Sequence, residues 1–215
     1  MSRLALLPVA PLVLAACLTP LRAQPIEFDS GGLRYQTLTQ GGLTIMFTQL
    51  PVQVRDYVVL QVAVSNGSPS ARTVKPEDFR FERLDGTVLP ASTARAVVLS
   101  FLQRAGRDDV IRMVSTYELG LYGLGRFQST NGYEQRRQSA LAEVGSSRLK
   151  AAAAASAIVL VQTKLNPGES TDGAVFFAAS GRSLGTGKLI ATPGVERFEF
   201  PLGGERHPGE LLRRP

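Results

Sequence analysis

The sequence predicts a mostly β chain, an antiparallel β-sandwich of about seven strands interrupted by a helical hairpin. Three observations carry this expectation. Residues 57–66 (YVVLQVAVSN) and 165–180 (LNPGESTDGAVFFAAS) read as matching strands of one sheet, far apart in the chain. Short apolar runs separated by turn residues recur from Leu33 to Leu89. Between the two strands the period changes, and residues 133–163 contain no proline but a run of five alanines, Ala151 to Ala155.

The chain has 215 residues, 44% of them hydrophobic and 20% charged, enough for a real core and too apolar for global disorder. Its N-terminus has the layout of an export leader. Arg3 precedes an apolar run over residues 4–18, broken by Pro8 and Pro11, and Leu21-Arg22-Ala23 forms a polar exit. The run is too short and too proline-rich for a spanning helix. Cleavage after Ala23 is the first reading, giving a signal peptide over residues 1–23. Leu14-Ala15-Ala16-Cys17 also has the form of a lipobox, which makes Cys17 a candidate lipidation site and leaves a lipid-anchored alternative open. The protein is therefore expected to be periplasmic or extracellular. Cys17 is the only cysteine, so under either cut no disulfide, thiolate metal site or cysteine nucleophile is expected.

Taken in order, residues 24–32 read as a polar linker, and residues 33–38 and 43–50 as strands around Gly41-Gly42. In the second of these, Leu43, Ile45 and Phe47 share one face. The β-branched content of residues 57–65 marks a central strand, closed by the turn chemistry of Asn66-Gly67-Ser68-Pro69. Phe79 and Phe81 share a strand face, and Asp85-Gly86 predicts a hairpin. Residues 94–102 fit strand or helix equally. Asp108 and Asp109 open a helix, with Val110, Val114, Tyr117 and Leu121 as its apolar stripe. Gly120, Gly123 and Gly125 end it. One long helix over 133–163 follows, with Gly145 its weak point and an alanine face suited to close packing. Strands are expected again at 174–179, 188–191 and 195–200, and a flexible tail at 203–215. The domains so read are a discontinuous sandwich, 24–97 with 165–202, and a helical insertion, 98–164, docked at a sandwich edge.

The catalytic motifs are weak. Ser147-Arg148-Leu149-Lys150 has the S-x-x-K spacing of serine acylases, but their accompanying S-D-N and K-T-G elements are missing. Residues 181–188 imitate a phosphate loop with Arg182 where its first glycine belongs and Leu189 where a hydroxyl belongs, and read as a loose hairpin turn. Gly123-Leu124-Gly125 lacks a preceding strand and the third glycine of a dinucleotide fingerprint. His207, the only histidine, stands in the tail, so neither a Ser-His-Asp triad nor a histidine metal site is expected. Asp108-Asp109 and Glu77-Asp78 read as helix-start and turn residues. No cofactor and no metal are expected.

Charge is uneven. Residues 24–97 and 165–215 each balance acids and bases, whereas 98–164 holds nine basic and five acidic residues. Arg104, Arg107, Arg112, Arg126, Arg136, Arg137, Arg148, Lys150 and Lys164 are those nine. The first eight are the candidate partner-binding residues, toward an envelope protein or an anionic surface such as lipid headgroups, cell-wall polymer or an acidic protein face. No transmembrane segment is expected in the mature chain, and peripheral membrane contact is left open. A mixed, solvated helical surface is the plainer alternative. Nucleic acid is not expected, because aromatic and basic residues are not interleaved.

Val62-Ala63-Val64-Ser65-Asn66, Phe79-Arg80-Phe81 and Leu165-Asn166-Pro167-Gly168-Glu169-Ser170, with Gly173 before Val175-Phe176-Phe177, resemble a class of bacterial exported immunoglobulin-like domains, the telokin-like group. The resemblance covers about half the mature chain and implies an immunoglobulin-like sandwich in an adhesive, scaffolding or unassigned role. Residues 98–164 depart from it, since the loop there is ordinarily short. The functional expectation is a non-enzymatic envelope protein that binds or scaffolds through its basic insertion. A structural subunit or assembly factor is the alternative, and a carboxylate-based hydrolase the weakest reading.

Overall fold

The computed structural model describes residues 23–51, 53–104, 106–123, 129 and 146–203. Residues 1–22, Cys17 among them, and the tail beyond Gly203 lie outside them. The chain is mostly β, with antiparallel sheets and three helices among the described residues.

β1 (Ile26–Ser30), β2 (Leu33–Gln40), β3 (Leu43–Gln49), β4 (Tyr57–Asn66) and β9 (Ser170–Ala178) form a five-stranded sheet in that order. The expected pairing of the two distant strands is present, running antiparallel from Tyr57 opposite Ala178 to Ser65 opposite Ser170. Gly41 and Gly42, both at positive φ (57° and 77°), make the tight β2–β3 turn. A second sheet has the order β11 (Phe198–Leu202), β10 (Gly187–Ala191), β6 (Phe79–Arg83) and β7 (Val88–Pro90), and β5 (Arg72–Val74) pairs with β8 (Thr163–Leu165). The Asp85-Gly86 hairpin joins β6 to β7 as expected.

The two larger sheets share one core. Leu60, Val62 and Val64 of β4 and Val175 and Phe177 of β9 meet Phe79, Phe81, Leu189, Phe198 and Phe200. The rings of Phe47 and Phe200 touch edge to face across it at 5.0 Å.

The opposite face of the five-stranded sheet carries a second core. Against Tyr35, Val59, Ala174 and Phe176 pack Val97 and Phe101 of α1 (Ala94–Arg104), Met113 and Tyr117 of α2 (Arg107–Gly123), and the alanine face and Ile158 of α3 (Ser147–Ile158). The helices thus lie across a sheet face, not at an edge, and the molecule has three layers. This is why β4 is buried along nearly its whole length.

Several expectations are corrected. Residues 24–32 are not a linker, because β1 pairs along its whole length with β2. Its alternating Glu27 and Asp29 suit an edge strand wetted on both faces, and they disguised it. The ambiguous segment 94–102 is helix, capped by Thr93, whose Oγ1 accepts the Ala96 N–H at 3.2 Å. The helix expected to reach Thr163 stops at Ile158. There Val159 turns extended, and the Leu160 N–H bonds the Ala174 carbonyl at 2.9 Å. Gly173 permits this crossing, since a Cβ on it would meet the Leu160 Cα at 2.5 Å. The expected start of this helix, residues 133–145, lies outside the described residues. Residues 181–186 are not a hairpin turn but the crossing from one sheet to the other, held where Arg83 Nε donates to the Leu184 carbonyl at 3.0 Å. The strand expected from Val195 begins at Phe198, because the turn at Gly194 (φ 81°) leaves Val195 exposed.

The turn at 165–169 is tied to the end of β4 by one buried side chain. Asn66 Nδ2 donates to the carbonyls of Ser70 (2.8 Å) and Leu165 (3.0 Å), and its Oδ1 accepts from the Ser68 N–H and hydroxyl. The Asn166 N–H and side-chain amide donate to Glu169, which holds its carboxyl below the usual range. Asn66→Asp removes both Nδ2 donors and sets a carboxylate against two carbonyl oxygens. A loss of about 1–3 kcal/mol per orphaned group is expected in urea denaturation, larger than for any exposed asparagine.

Candidate functional site

Each helix is fixed at its start by a short polar contact. Besides the Thr93 cap of α1, Ser146 Oγ accepts the Leu149 N–H at 3.2 Å to open α3. The α2 start is bound to the sheet. Asp109 accepts the Gly106 N–H at 2.8 Å and Arg55 Nη1 at 2.9 Å, and the same Arg55 nitrogen donates to the Arg104 carbonyl. One guanidinium from the loop before β4 therefore pins the α1–α2 corner. Asp109, expected only to favour the helix dipole, spends its charge on that contact.

With Val97, Phe101, Met113, Tyr117 and the alanines turned inward, charged positions along the helices and at their ends stay in water. Arg104 in the last turn of α1, Arg112 in α2, and Arg148 and Lys150 in the first turn of α3 are all exposed. Arg107 begins α2, and its side chain is outside the described residues, as are Arg126, Arg136 and Arg137 altogether. Lys164 is exposed on β8, on the small sheet and apart from the helices. The helical layer thus gathers four of the eight expected cations on three elements.

Two features escaped the sequence reading. Arg95 is exposed on α1 and joins the same cations. So do exposed aliphatic side chains, namely Leu99 and Leu102 on α1, Ile111 and Leu119 on α2, and Leu149 on α3. The signal for the first group was the i, i+4, i+7 spacing of Arg95, Leu99 and Leu102, readable only once 94–104 is a helix.

Beneath α2 lies a polar cluster facing inward. The Tyr117 hydroxyl donates to Asp172 Oδ2, and the Tyr35 hydroxyl donates to the Gly120 carbonyl at 2.7 Å. Burial pushes the Tyr35 hydroxyl above its ordinary value. Gln61 is buried against Gly120 with no hydrogen-bond partner for its amide among the described residues. These groups join helix to sheet and have no opening to a described cleft.

Two clefts open elsewhere. One of about 440 Å³ is lined by Arg72, Thr73, Lys75, Asp78, Gln162 and Thr192. Its Arg72 is paired with Glu196 at 2.9 Å, while burial pushes the Asp78 carboxyl up against the opposing pull of the Lys75 N–H. The other, about 290 Å³, is bordered by Pro25, Leu38, Lys188, Glu199 and Pro201, with Lys188 and Glu199 3.4 Å apart. Among the described residues no three His, Cys, Asp or Glu side chains gather as a metal site would require.

No family model matches the sequence, and no curated protein does. A crystal structure of the yjhA protein from Bacillus subtilis aligns over 78% of each chain, at a TM-score of 0.31 and 7% sequence identity.

Proposed function

We propose that the chain is a non-enzymatic exported protein of the cell envelope, an immunoglobulin-like sandwich of telokin-like type that binds an anionic partner through the outward face of its helical layer. What supports this is one observation: Arg95, Arg104, Arg112, Arg148 and Lys150 are all exposed on the three helices, against the exposed Asp108, while Asp109 is drawn inward onto Arg55. Cations left in water on neighbouring helices can meet an anionic partner. The export element rests on the leader-like residues 1–23.

The test is co-sedimentation of the chain with the envelope fraction of its source organism, at low and at high salt. Wild type is expected to sediment at low salt and to be released by high salt. The variant Arg112→Glu, Arg148→Glu, Lys150→Glu, unchanged in melting temperature, is expected to stay in solution at both. Equal sedimentation of the two proteins removes this surface from the function.

The reading as a structural subunit or assembly factor draws on a different feature. Among the described residues β1 is the last strand of the five-stranded sheet, with Ile26 and Phe28 exposed, an edge of the kind that strand addition uses. A particle mass that rises with concentration in light scattering, and no longer does so in Ile26→Lys, favours it.

A further inference from the structure

We infer that the outer edge of β1 takes up an extended segment of another protein in which basic and apolar residues alternate. The inference rests on the reading of β1 as an edge for strand addition, and it names the partner. β1 pairs with β2 without a bulge, from Ile26 opposite Thr37 to Ser30 opposite Leu33. The two-residue turn Gly31-Gly32, both at positive φ (58° and 78°), closes the hairpin. That turn fixes which way each backbone group points. Ser30, Phe28 and Ile26 exchange their N–H and C=O with β2, so Glu27 and Asp29 turn theirs away from it. Among the described residues no strand lies on that side.

The same register sorts the side chains by face. Ile26 (67% exposed) and Phe28 (39%) stand on the helical side, where the Phe28 ring stacks on Tyr35 at 5.3 Å and extends the second core outward. Glu27 and Asp29 stand on the other face. Glu27 Oε1 accepts the Gln36 amide at 2.8 Å, a neutral donor that leaves its charge in place. Asp29 lies 3.6 Å from Arg34, an ion pair exposed enough for water to screen most of it.

Edge strands are commonly shielded from further pairing by lysine, proline or a bulge, and Ile26–Ser30 has none of these. It has acids instead, and they discriminate. Two copies joined edge to edge about a two-fold axis run antiparallel, and both must offer their outward residues. Each register that overlaps most of both strands then sets Glu27 or Asp29 directly opposite another carboxylate, which destabilises the pair. A strand with Lys or Arg at those positions meets opposite charge. Its intervening apolar residues fall on the other face and cover Ile26 and Phe28. The acids thus turn away a second copy and admit a basic, amphipathic strand.

The test uses the chain from residue 24 onward, which keeps every described strand and helix. Fluorescence polarisation follows dye-labelled peptides of alternating Val and Lys, alternating Val and Glu, and alternating Ser and Lys. The Val-Lys peptide is expected to bind, and each of the other two about tenfold or more weakly. N-methylation of its lysines, whose N–H groups would face Glu27 and Asp29, is expected to abolish binding, whereas N-methylation of its valines is tolerated. The variant Glu27→Lys, Asp29→Lys is expected to prefer the Val-Glu peptide. Equal binding of the Val-Lys and Val-Glu peptides overturns the selection by charge. Equal binding of the Ser-Lys peptide overturns the role of Ile26 and Phe28. Unchanged binding after methylation of the lysines overturns strand addition, and does so with the protein unaltered. A variant that keeps the preference of the wild type overturns the placement at β1. A particle mass that rises with concentration, and does not in Ile26→Lys, makes a second copy the occupant: it overturns this partner and leaves the assembly reading standing. No peptide bound and no rise in mass overturns both.

Discussion

Replacing residues 102–164 by a short Gly-Ser linker is expected to abolish cooperative unfolding. The sequence alone favours the opposite, a folded sandwich left behind, because lengthening a loop is cheap: each doubling costs about 0.6 kcal/mol. That reasoning treats the helices as an accessory at an edge. In the structure they cover a full sheet face, so the deletion strips Met113, Tyr117, Ala151, Ala154, Ala155, Ile158 and Val159 from one core. It also takes Leu160 from the other core and Thr163 and Lys164 from β8. The exposed remainder would include Val59 and Phe176, large apolar groups in mid-sheet. Circular dichroism on heating is expected to show a broad, non-cooperative change and dye binding typical of exposed apolar surface. A sharp transition with intact β signal would show that the sheet needs no helical cover.

Phe176→Ala and Phe177→Ala are each expected to cost about 3–5 kcal/mol, although the two side chains point in opposite directions. Had the sheet one wet face, only one of the pair would matter. Both are fully buried, Phe177 among Phe79, Phe81 and Phe198, and Phe176 between the rings of Tyr57 (5.7 Å) and Phe101 (6.3 Å). Their consequences should differ in place. Loss of Phe176 loosens the helical layer, so hydrogen exchange in α1 is expected to rise before exchange in β6 or β10. Loss of Phe177 should weaken both sheets together. A change at Lys150, which is exposed, is expected to stay within about 0.5 kcal/mol. If either phenylalanine can be truncated with no fall in melting temperature, the layer it faces is wrongly placed.

The strands with strong β-branched runs were legible because their chemistry is local. Tyr57–Asn66, the Gly41-Gly42 turn and the Asp85-Gly86 hairpin each show their conformation in a few residues. The third layer was not legible. Gln61 and Asp172 break the apolar pattern on the helix-facing side of β4 and β9, so those strands read as having one dry face. The polar partners beneath α2 that make such burial tolerable come from elsewhere in the chain, Tyr117 being 55 residues from Asp172. α1 was ambiguous because Val97 and Val98, both β-branched, suit a strand equally, and only packing on the sheet decides. Of the site, charge could be counted in the sequence, but which cations stand exposed on helices could not. That depended on three helices finding one sheet, with Arg55 holding Asp109 at the start of α2.

The pairing of β4 with β9 also sets a timetable. Ser65 and Ser170, whose hydroxyls meet at 2.7 Å, are 105 residues apart. The strand at the heart of the molecule therefore waits, with one long edge unsatisfied, until its neighbour has been made. Until then β1 to β4 can form a four-stranded meander whose face toward the second sheet stays open, because β10 and β11 follow β9 in the chain. Closing so distant a contact is slow compared with forming hairpins. The late-arriving strand then acts as the keystone: once β9 slots in beside β4, the two cores close against its opposite faces in one step.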